Sequence, residues 1–328
     1  MYVGITGTGH RLPTTVQRNE DLCVGIDLSP DWIESRTGIT QRLIANSGEC
    51  ASEYARDASK GAIKQAGCSI RDIGLVIVAT FSGDYVFPAA AVKLQSDLGI
   101  IGGHAFDVQA NCSGFVTALT IASERMMFDS SIGYALVVGL EFCSRYTNST
   151  DPETSVYLSD GAGAVIIGRV YQPGYIASSF WTDSSNYESV RLRGGGSSFR
   201  NPEAFNKSIF MEMNGLATWR QAITSLPKVI RDVCTKSGVQ IEDIDMFIFH
   251  QANLRLIEYL IKKLKRDLGA TYTNVERIGN TGAASISIAL SEAVLEGKIR
   301  NQDLVCVAGV GAGFTFGASL WRWGSIVS

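Results

Sequence analysis

The chain has 328 residues, 45% of them hydrophobic, and 34 glycines, enough to bury a large core as one big α/β domain or two fused ones. A formal net charge of -3 gives no global electrostatic footprint for nucleic acid. The start, Met1-Tyr2-Val3-Gly4-Ile5-Thr6-Gly7, has neither a basic n-region nor a long apolar h-region, and no later apolar run approaches the ~18 residues of a membrane span, so a cytoplasmic protein is expected.

In chain order, Gly7-Thr8-Gly9-His10-Arg11-Leu12 lacks the third glycine of a dinucleotide fingerprint and runs into Pro13. Helices are expected over 51–66 and 89–98, on either side of a short apolar strand at 75–78. A second apolar strand, 105–108, ends shortly before Cys112. A helix over 113–127 follows, because Phe115, Ala118, Leu119, Ala122 and Met126 recur at helical spacing. Cys112 thus falls where a strand ends and a helix starts, and the free N–H groups of a first helical turn favour thiolate over thiol. In the second half, helices are expected over 217–236, 254–268 and 283–296. The seven cysteines (Cys23, Cys50, Cys68, Cys112, Cys143, Cys234 and Cys306) form no C-x-x-C pair, which argues against a disulfide framework or a zinc site. No metal site is expected.

The two halves resemble each other at long range. The segment 69–78 is similar to 240–249 at an offset of 171 (248 minus 77). Leu94, Asp97, Leu98 and Gly99 recur as Leu264, Asp267, Leu268 and Gly269, and Val137 and Gly139 recur as Val307 and Gly309, all at an offset of 170 (309 minus 139). Gly161-Ala162-Gly163 pairs with Gly311-Ala312-Gly313 at 150 (311 minus 161), as if the first half carried about twenty extra residues after Gly139. The implied plan is a doubled α/β fold whose apolar strands are buried on both faces by helices. Two duplicated halves are expected, 1–171 with Cys112 and 172–328 with His250 and Asn280. Ligands of open α/β sheets collect beyond the carboxyl ends of the strands. The repeat therefore brings Cys112, His250 and the Asn280 loop toward one pseudo-twofold axis.

A thiol, an imidazole and a carboxamide fit acyl transfer through an enolate, although a cysteine hydrolase would use the same residue types. The turn Gly311-Ala312-Gly313-Phe314-Thr315 has the small residues that let backbone N–H groups approach a substrate oxygen, as does the Cys112 N–H. Its other reading is a tight turn into a last strand.

Taken together, Trp32-Ile33 with Arg36-Thr37-Gly38-Ile39, Ala105-Phe106-Asp107-Val108, Cys112 with Gly114-Phe115, Asp160-Gly161-Ala162-Gly163-Ala164, His250-Gln251-Ala252-Asn253-Leu254-Arg255, Gly279-Asn280-Thr281 and Gly313-Phe314-Thr315 resemble the β-ketoacyl-acyl carrier protein synthase III family of thiolase-fold condensing enzymes over essentially the whole chain. The resemblance implies an α/β thiolase-like fold and a decarboxylative Claisen condensation. Cys112 would be acylated, His250 and Asn280 would stabilise the enolate, and the N–H groups of Cys112 and Ala312 would form the oxyanion hole. No cofactor is implied; coenzyme A or carrier-bound thioesters are the substrates. Trp32 and Arg36 would hold the adenine of coenzyme A, Leu216 and Trp219 would line the pantetheine tunnel, and Arg255 would contact substrate. Phe87 would reach across a homodimer to close the partner's acyl pocket.

A basic face made of Arg255, Lys262 and Lys263, with Arg220 on the preceding helix, would dock an acidic acyl carrier protein. Three departures from the family pattern point to altered donor recognition. Pro152-Glu153 stands where an arginine helps to clamp coenzyme A. Leu216 and Trp219 replace an asparagine and a phenylalanine, and Asn111 and Ser113 replace two alanines. The segment 191–200 reads as a solvated connection or a lid. Transfer of the acyl group to an oxygen or nitrogen nucleophile, or a non-catalytic subunit that binds acyl thioesters, are the alternative outcomes. Neither requires an enolate-stabilising asparagine.

Overall fold

The structure is a computed structural model that describes residues 2–197 and 209–324, so positions 198–200 of the segment 191–200 lie outside the described residues. The first half contributes strands β1 (Tyr2–Arg11), β2 (Thr15–Arg18), β3 (Gln41–Ile44), β4 (Ile73–Ala79), β5 (His104–Val108), β6 (Tyr134–Phe142) and β7 (Asp160–Val170). The second contributes β8 (Tyr175–Thr182), β9 (Val190–Leu192), β10 (Met211–Met213), β11 (Met246–Phe249), β12 (Leu304–Gly311) and β13 (Thr315–Arg322). One large sheet runs β1-β7-β6-β4-β5 and the other β8-β13-β12-β11. In each, the inner pairs β4/β6 and β11/β12 are parallel, and the pairs β6/β7 and β12/β13 antiparallel. The counterpart of β5 is reduced to a single parallel bridge between Phe247 and Thr271.

β4 has no polar side chain and is rich in valine and isoleucine, and its residues from Leu75 to Ala79 are buried, as expected of a strand covered on both faces. Two helices cover it and its partners from between the sheets. Gly114–Phe128 and Ala284–Leu295 form a central layer, and their Phe115, Leu119, Ile286 and Leu290 join Ile77, Val137, Ile248, Val307 and Trp321 in one core. Ala284–Leu295 is buried all round from Ala284 to Ala293, which its apolar composition permits. Ala51–Ala66 and Ala90–Leu98 pack on the outer face of the first sheet, while Gly215–Ser237 and Leu254–Lys263 pack on the second. The result is five layers, helix-sheet-helix-sheet-helix. Among the described residues, no helix is long and apolar enough to cross a membrane.

The register refines the repeat. Gly139 and Gly309 are equivalent, but their cross-strand partners are Gly163 and Gly317, an offset of 154 (317 minus 163). Gly163 therefore corresponds to Gly317 and not to Gly313; Gly313 belongs to the turn between β12 and β13. The helix expected over 254–268 also stops early, at Lys263, because Lys265 takes a left-handed conformation (φ 58°) and Arg266 turns its guanidinium onto the Ile241 and Glu242 carbonyls at 2.7 Å each. Glycines set the depth of the central layer. A Cβ at Gly139 would lie 2.5 Å from the Ala283 carbonyl oxygen, and one at Gly163 would lie 2.4 Å from Ser287 Oγ. Only bare backbone lets Ala284–Leu295 seat against β6 and β7, and this seating fixes the Asn280 loop that precedes the helix.

Candidate active site

Cys112 lies in a one-turn 3-10 segment, Asn111–Ser113, that feeds directly into Gly114–Phe128. Two residues on, Gly114 meets the start of the other central helix: a Cβ there would be 4.0 Å from Ala283 Cβ. The sequence leads one to expect a thiolate at this helix terminus. Burial and the nearby Glu141 carboxylate instead push the Cys112 thiol up to about 12, against a smaller lowering by its own backbone N–H. The resting nucleophile is a thiol, because desolvation of the charged sulfur outweighs the helix end.

His250 follows β11 and is buried, which pulls its imidazole down to about 4 and keeps it neutral at physiological pH. Its Nδ1 is 2.6 Å from Ser285 Oγ. Ser285 Oγ also accepts the Gln251 N–H at 3.2 Å, and among the described residues Nδ1 is the acceptor within reach of its own hydrogen; with that hydrogen on Nδ1, the ring carries its proton on Nε2. The residue missed from sequence is thus Ser285, whose signal was its place five residues after Asn280, at the second position of a buried helix.

Asn280 is stapled to the first half on both backbone sides. Its N–H donates to the Tyr157 carbonyl at 2.8 Å and its carbonyl accepts the Ser159 N–H at 2.9 Å. The side-chain Oδ1 accepts the Gly282 N–H at 2.9 Å. That bond fixes which way the amide faces and leaves the Nδ2 hydrogens as the free donors. Gly282 (φ 52°) is needed at this turn, since a Cβ would be 2.9 Å from Glu141 Cγ.

Ala312 sits in the β12–β13 turn, and two bonds tie that turn to the nucleophile. Asn111 Nδ2 donates to the Ala312 carbonyl at 3.1 Å, and Ser113 Oγ is 2.7 Å from Thr315 Oγ1. Asn111 and Ser113, the two residues that depart from the family pattern, therefore lock the turn in which the sequence places the expected second oxyanion donor. Gly311 allows the approach, because a Cβ there would be 2.4 Å from the Ala110 carbonyl oxygen.

The binding residues are more dispersed. Trp32 is 43% exposed on helix Pro30–Thr37, and Arg36 on the same helix has an exposed side chain while its carbonyl accepts Asn253 Nδ2. Leu216 and Arg220 are exposed in the first turns of Gly215–Ser237, and Trp219 between them tilts against Tyr259 with ring centroids 6.1 Å apart. Glu153 accepts the Gly215 N–H at 3.4 Å, which brings its carboxylate to that helix start. Phe87 is 84% exposed. Arg255 differs from expectation: its guanidinium is occupied by Glu258 at 3.0 Å and by the Ser35 and Glu34 carbonyls at 3.1 and 3.3 Å. It braces helix Pro30–Thr37 against Leu254–Lys263 and is not a free contact for substrate or carrier. Lys262 and Lys263 remain exposed, the latter 5.5 Å above the Tyr259 ring.

Doubled sheets around two central helices, with a cysteine at the start of one and an asparagine before the other, define a thiolase-fold condensing enzyme of the acyltransferase class. Residues 106–184 match the family described as 3-oxoacyl-[acyl-carrier-protein (ACP)] synthase III, and residues 234–323 match its C-terminal part. A β-ketoacyl-[acyl-carrier-protein] synthase III of Bordetella petrii is 39% identical over 98% of this chain and 98% of its own. The crystal structure of 3-oxoacyl-[acyl-carrier-protein] synthase III from Aquifex aeolicus superposes with a TM-score of 0.90 at 36% identity, covering 98% of this chain and 100% of that one. The priming β-ketosynthase of the R1128 polyketide pathway superposes with a TM-score of 0.92 at 27% identity, over 99% and 97%. The chain belongs to the 3-oxoacyl-[acyl-carrier-protein] synthase III family.

The Ser285 contact is testable. Ser285→Ala removes the hydrogen that holds the His250 proton on Nε2, so the malonyl-dependent step should slow about tenfold while acylation of Cys112 persists. Single-turnover measurement of each step separately checks it.

Proposed function

We propose that the Cys112, His250 and Asn280 site joins an acyl group held on Cys112 to a malonyl thioester by decarboxylative Claisen condensation, giving a β-ketoacyl thioester. The observation that carries this reading is the orientation of two uncharged donors. Asn280 presents Nδ2–H because its Oδ1 is taken by Gly282, and His250 presents Nε2–H because its Nδ1 is taken by Ser285. Activation of water or another oxygen or nitrogen nucleophile calls for a base matched to the working pH. An imidazole held near 4 by burial is a weak one.

The reaction has two halves. The Cys112 sulfur attacks an acyl thioester, the oxyanion bonds to the N–H groups of Cys112 and Ala312, and the thiol proton leaves with the departing thiol. The malonyl thioester then loses carbon dioxide, and the enolate oxygen takes hydrogen bonds from His250 and Asn280. Each such donor in a dry site is worth about 2.7–4 kcal/mol to the transition state. The carbanion attacks the acyl carbonyl, collapse releases the Cys112 sulfur as thiolate, and its high proton affinity takes one proton from solvent to restore the thiol. Trp32 and Arg36 would stack the donor nucleotide, at roughly 1–3 kcal/mol per base. With Glu153 where a cation would be favoured, donors delivered by a carrier protein or unusual starters suit this site better than acetyl-coenzyme A. Lys262, Lys263 and Arg220 would receive the acidic carrier in the cytoplasm, and Phe87 would be covered by a second copy of the chain.

Cys112→Ala should abolish acylation, whereas Asn280→Ala should form acyl-Cys112 and stall at the malonyl step, as read by intact-protein mass spectrometry. Condensation intact in Asn280→Ala would remove the enolate role.

Carrier-bound substrate should lose kcat/KM as salt rises, because exposed cations are screened within about 8 Å at physiological ionic strength. Charge reversal at Lys262 and Lys263 should raise KM for the carrier-bound substrate alone and leave alkylation of Cys112 unchanged; kinetics indifferent to salt would speak against docking there.

Sedimentation should give a mass near twice 35.3 kDa. An active monomer would exclude the role of Phe87.

A further inference from the structure

Among the buried ionisable groups that the mechanism does not use, Glu141 is the one that the described structure places between Cys112 and the Asn280 loop. Glu141 lies near the end of β6 with no solvent exposure, the one acid in an otherwise apolar or aromatic strand. Its carboxyl gathers donors from two other segments. From the turn after β4, Ser82 Oγ and the Phe81 N–H bond to it, the latter at 3.4 Å, together with the Thr80 hydroxyl. Ser82 Oγ accepts the Phe142 N–H at 2.8 Å, so its proton is free to go to Glu141. From the Asn280 loop, the Ala283 N–H also bonds to the carboxyl, and Gly282 packs against its Cγ. These groups donate and none accepts, which is the environment of a carboxylate. Among the described residues no lysine, arginine or histidine balances it.

The ionisable groups that face Glu141 are Cys112 from the nucleophile turn, Cys143 beyond its own strand and Tyr146 from the following turn; Asp160 on β7 faces Cys143. An anion in this position acts on the site in two ways. It anchors Gly282 and Ala283, the residues whose backbone orients the Asn280 amide, and it opposes loss of the proton from Cys112. Burial works against the charge and raises the carboxyl to about 8, so the group is largely neutral at physiological pH and becomes the anion as pH rises through that value.

We propose that Glu141 is a positioning residue for the decarboxylative half-reaction: its buried carboxyl group holds the Gly282–Ala283 backbone, and through it the Asn280 amide, in register with Cys112. This rests on the condensation reading above. Glu141 touches neither the reacting sulfur nor the enolate, and its effect passes through the loop and through the local field.

The test uses the full-length protein with Glu141→Gln, which keeps the shape, removes the charge and turns an amide toward donors. Three readouts are compared with wild type: acylation of Cys112, the malonyl-dependent step on the acyl-enzyme, and alkylation of Cys112 by iodoacetamide as a function of pH. Acylation should persist, and the malonyl step should fall about tenfold or more. Alkylation should be faster than in wild type above about pH 8, where the wild-type carboxyl is charged, and equal to it below about pH 6.5. A protein in which all three fall together with the melting temperature would show a purely structural role and overturn the proposal. So would one with a wild-type malonyl step and a wild-type labelling profile. Should Glu141→Gln fail to fold, Ser82→Ala removes one hydrogen bond to the carboxyl, and the same selective loss of the malonyl step is expected. An even loss there also overturns the proposal. If wild-type enzyme releases no carbon dioxide from any malonyl thioester, the condensation reading fails, while the labelling profile still reports whether Glu141 acts on Cys112.

Discussion

Close approach of the two central helix starts is the constraint on which the site depends. Gly114 and Ala283 face each other across the gap, and Gly139 and Gly163 lower Ala284–Leu295 onto the first sheet until side-chain atoms at either glycine would overlap it. A methyl group at these positions would push the helix outward, and the Asn280 loop and Ser285 would move with it. The small residues are therefore spent on geometry, and the large buried ones, such as Phe115, Phe247 and Trp321, supply the apolar area that holds the layers together.

Such packing makes the site dry, and dryness decides which groups can work in it. Charged forms are penalised, so the thiol holds its proton and the imidazole stays neutral. What remains is a set of fixed dipoles: two backbone N–H groups, an imidazole N–H and an amide N–H. These suit an oxyanion or enolate that appears only during reaction, because donors already in place need not reorganise when the charge develops. Three of the residues involved are braced by a neighbour: His250 by Ser285 at Nδ1, Asn280 by Gly282 at Oδ1, and Ala312 by Asn111, which bonds its carbonyl in the following peptide.

The sequence disclosed the elements whose signal is local. The helix over 51–66 matches Ala51–Ala66 to the residue, the helix after Cys112 begins one position later than expected, and the strands carrying the long-range repeat fall on β4, β6, β11 and β12. Contacts between distant segments were not legible. Asn111 and Ala312 are 201 residues apart, and nothing in either neighbourhood announces their bond. The bonds of Arg255 were hidden for the same reason, since its guanidinium reaches the Ser35 and Glu34 carbonyls, 220 and 221 residues away in the chain, as well as Glu258. The proton on Cys112 was misjudged because a helix terminus can be read from a sequence and the depth of burial cannot. Glu141 did leave a trace, a lone acid in the apolar run from Tyr134 to Phe142.

Charge at the rim follows a different logic from charge inside. Glu153 lies at the start of the 23-residue helix Gly215–Ser237, where an acid is favoured by the exposed N–H groups, so it stabilises the fold locally while its charge disfavours phosphate nearby. Arg36, Lys262, Lys263 and Arg220 stand exposed on neighbouring elements. On the reading proposed above, a nucleotide donor would place its phosphates among these few cations and beside Glu153. A carrier protein would instead spread its acidic surface over the cations and send only an uncharged pantetheine arm past the rim. Discrimination between the two kinds of donor then turns on where each puts its negative charge, and the chemistry at Cys112 need not differ between them.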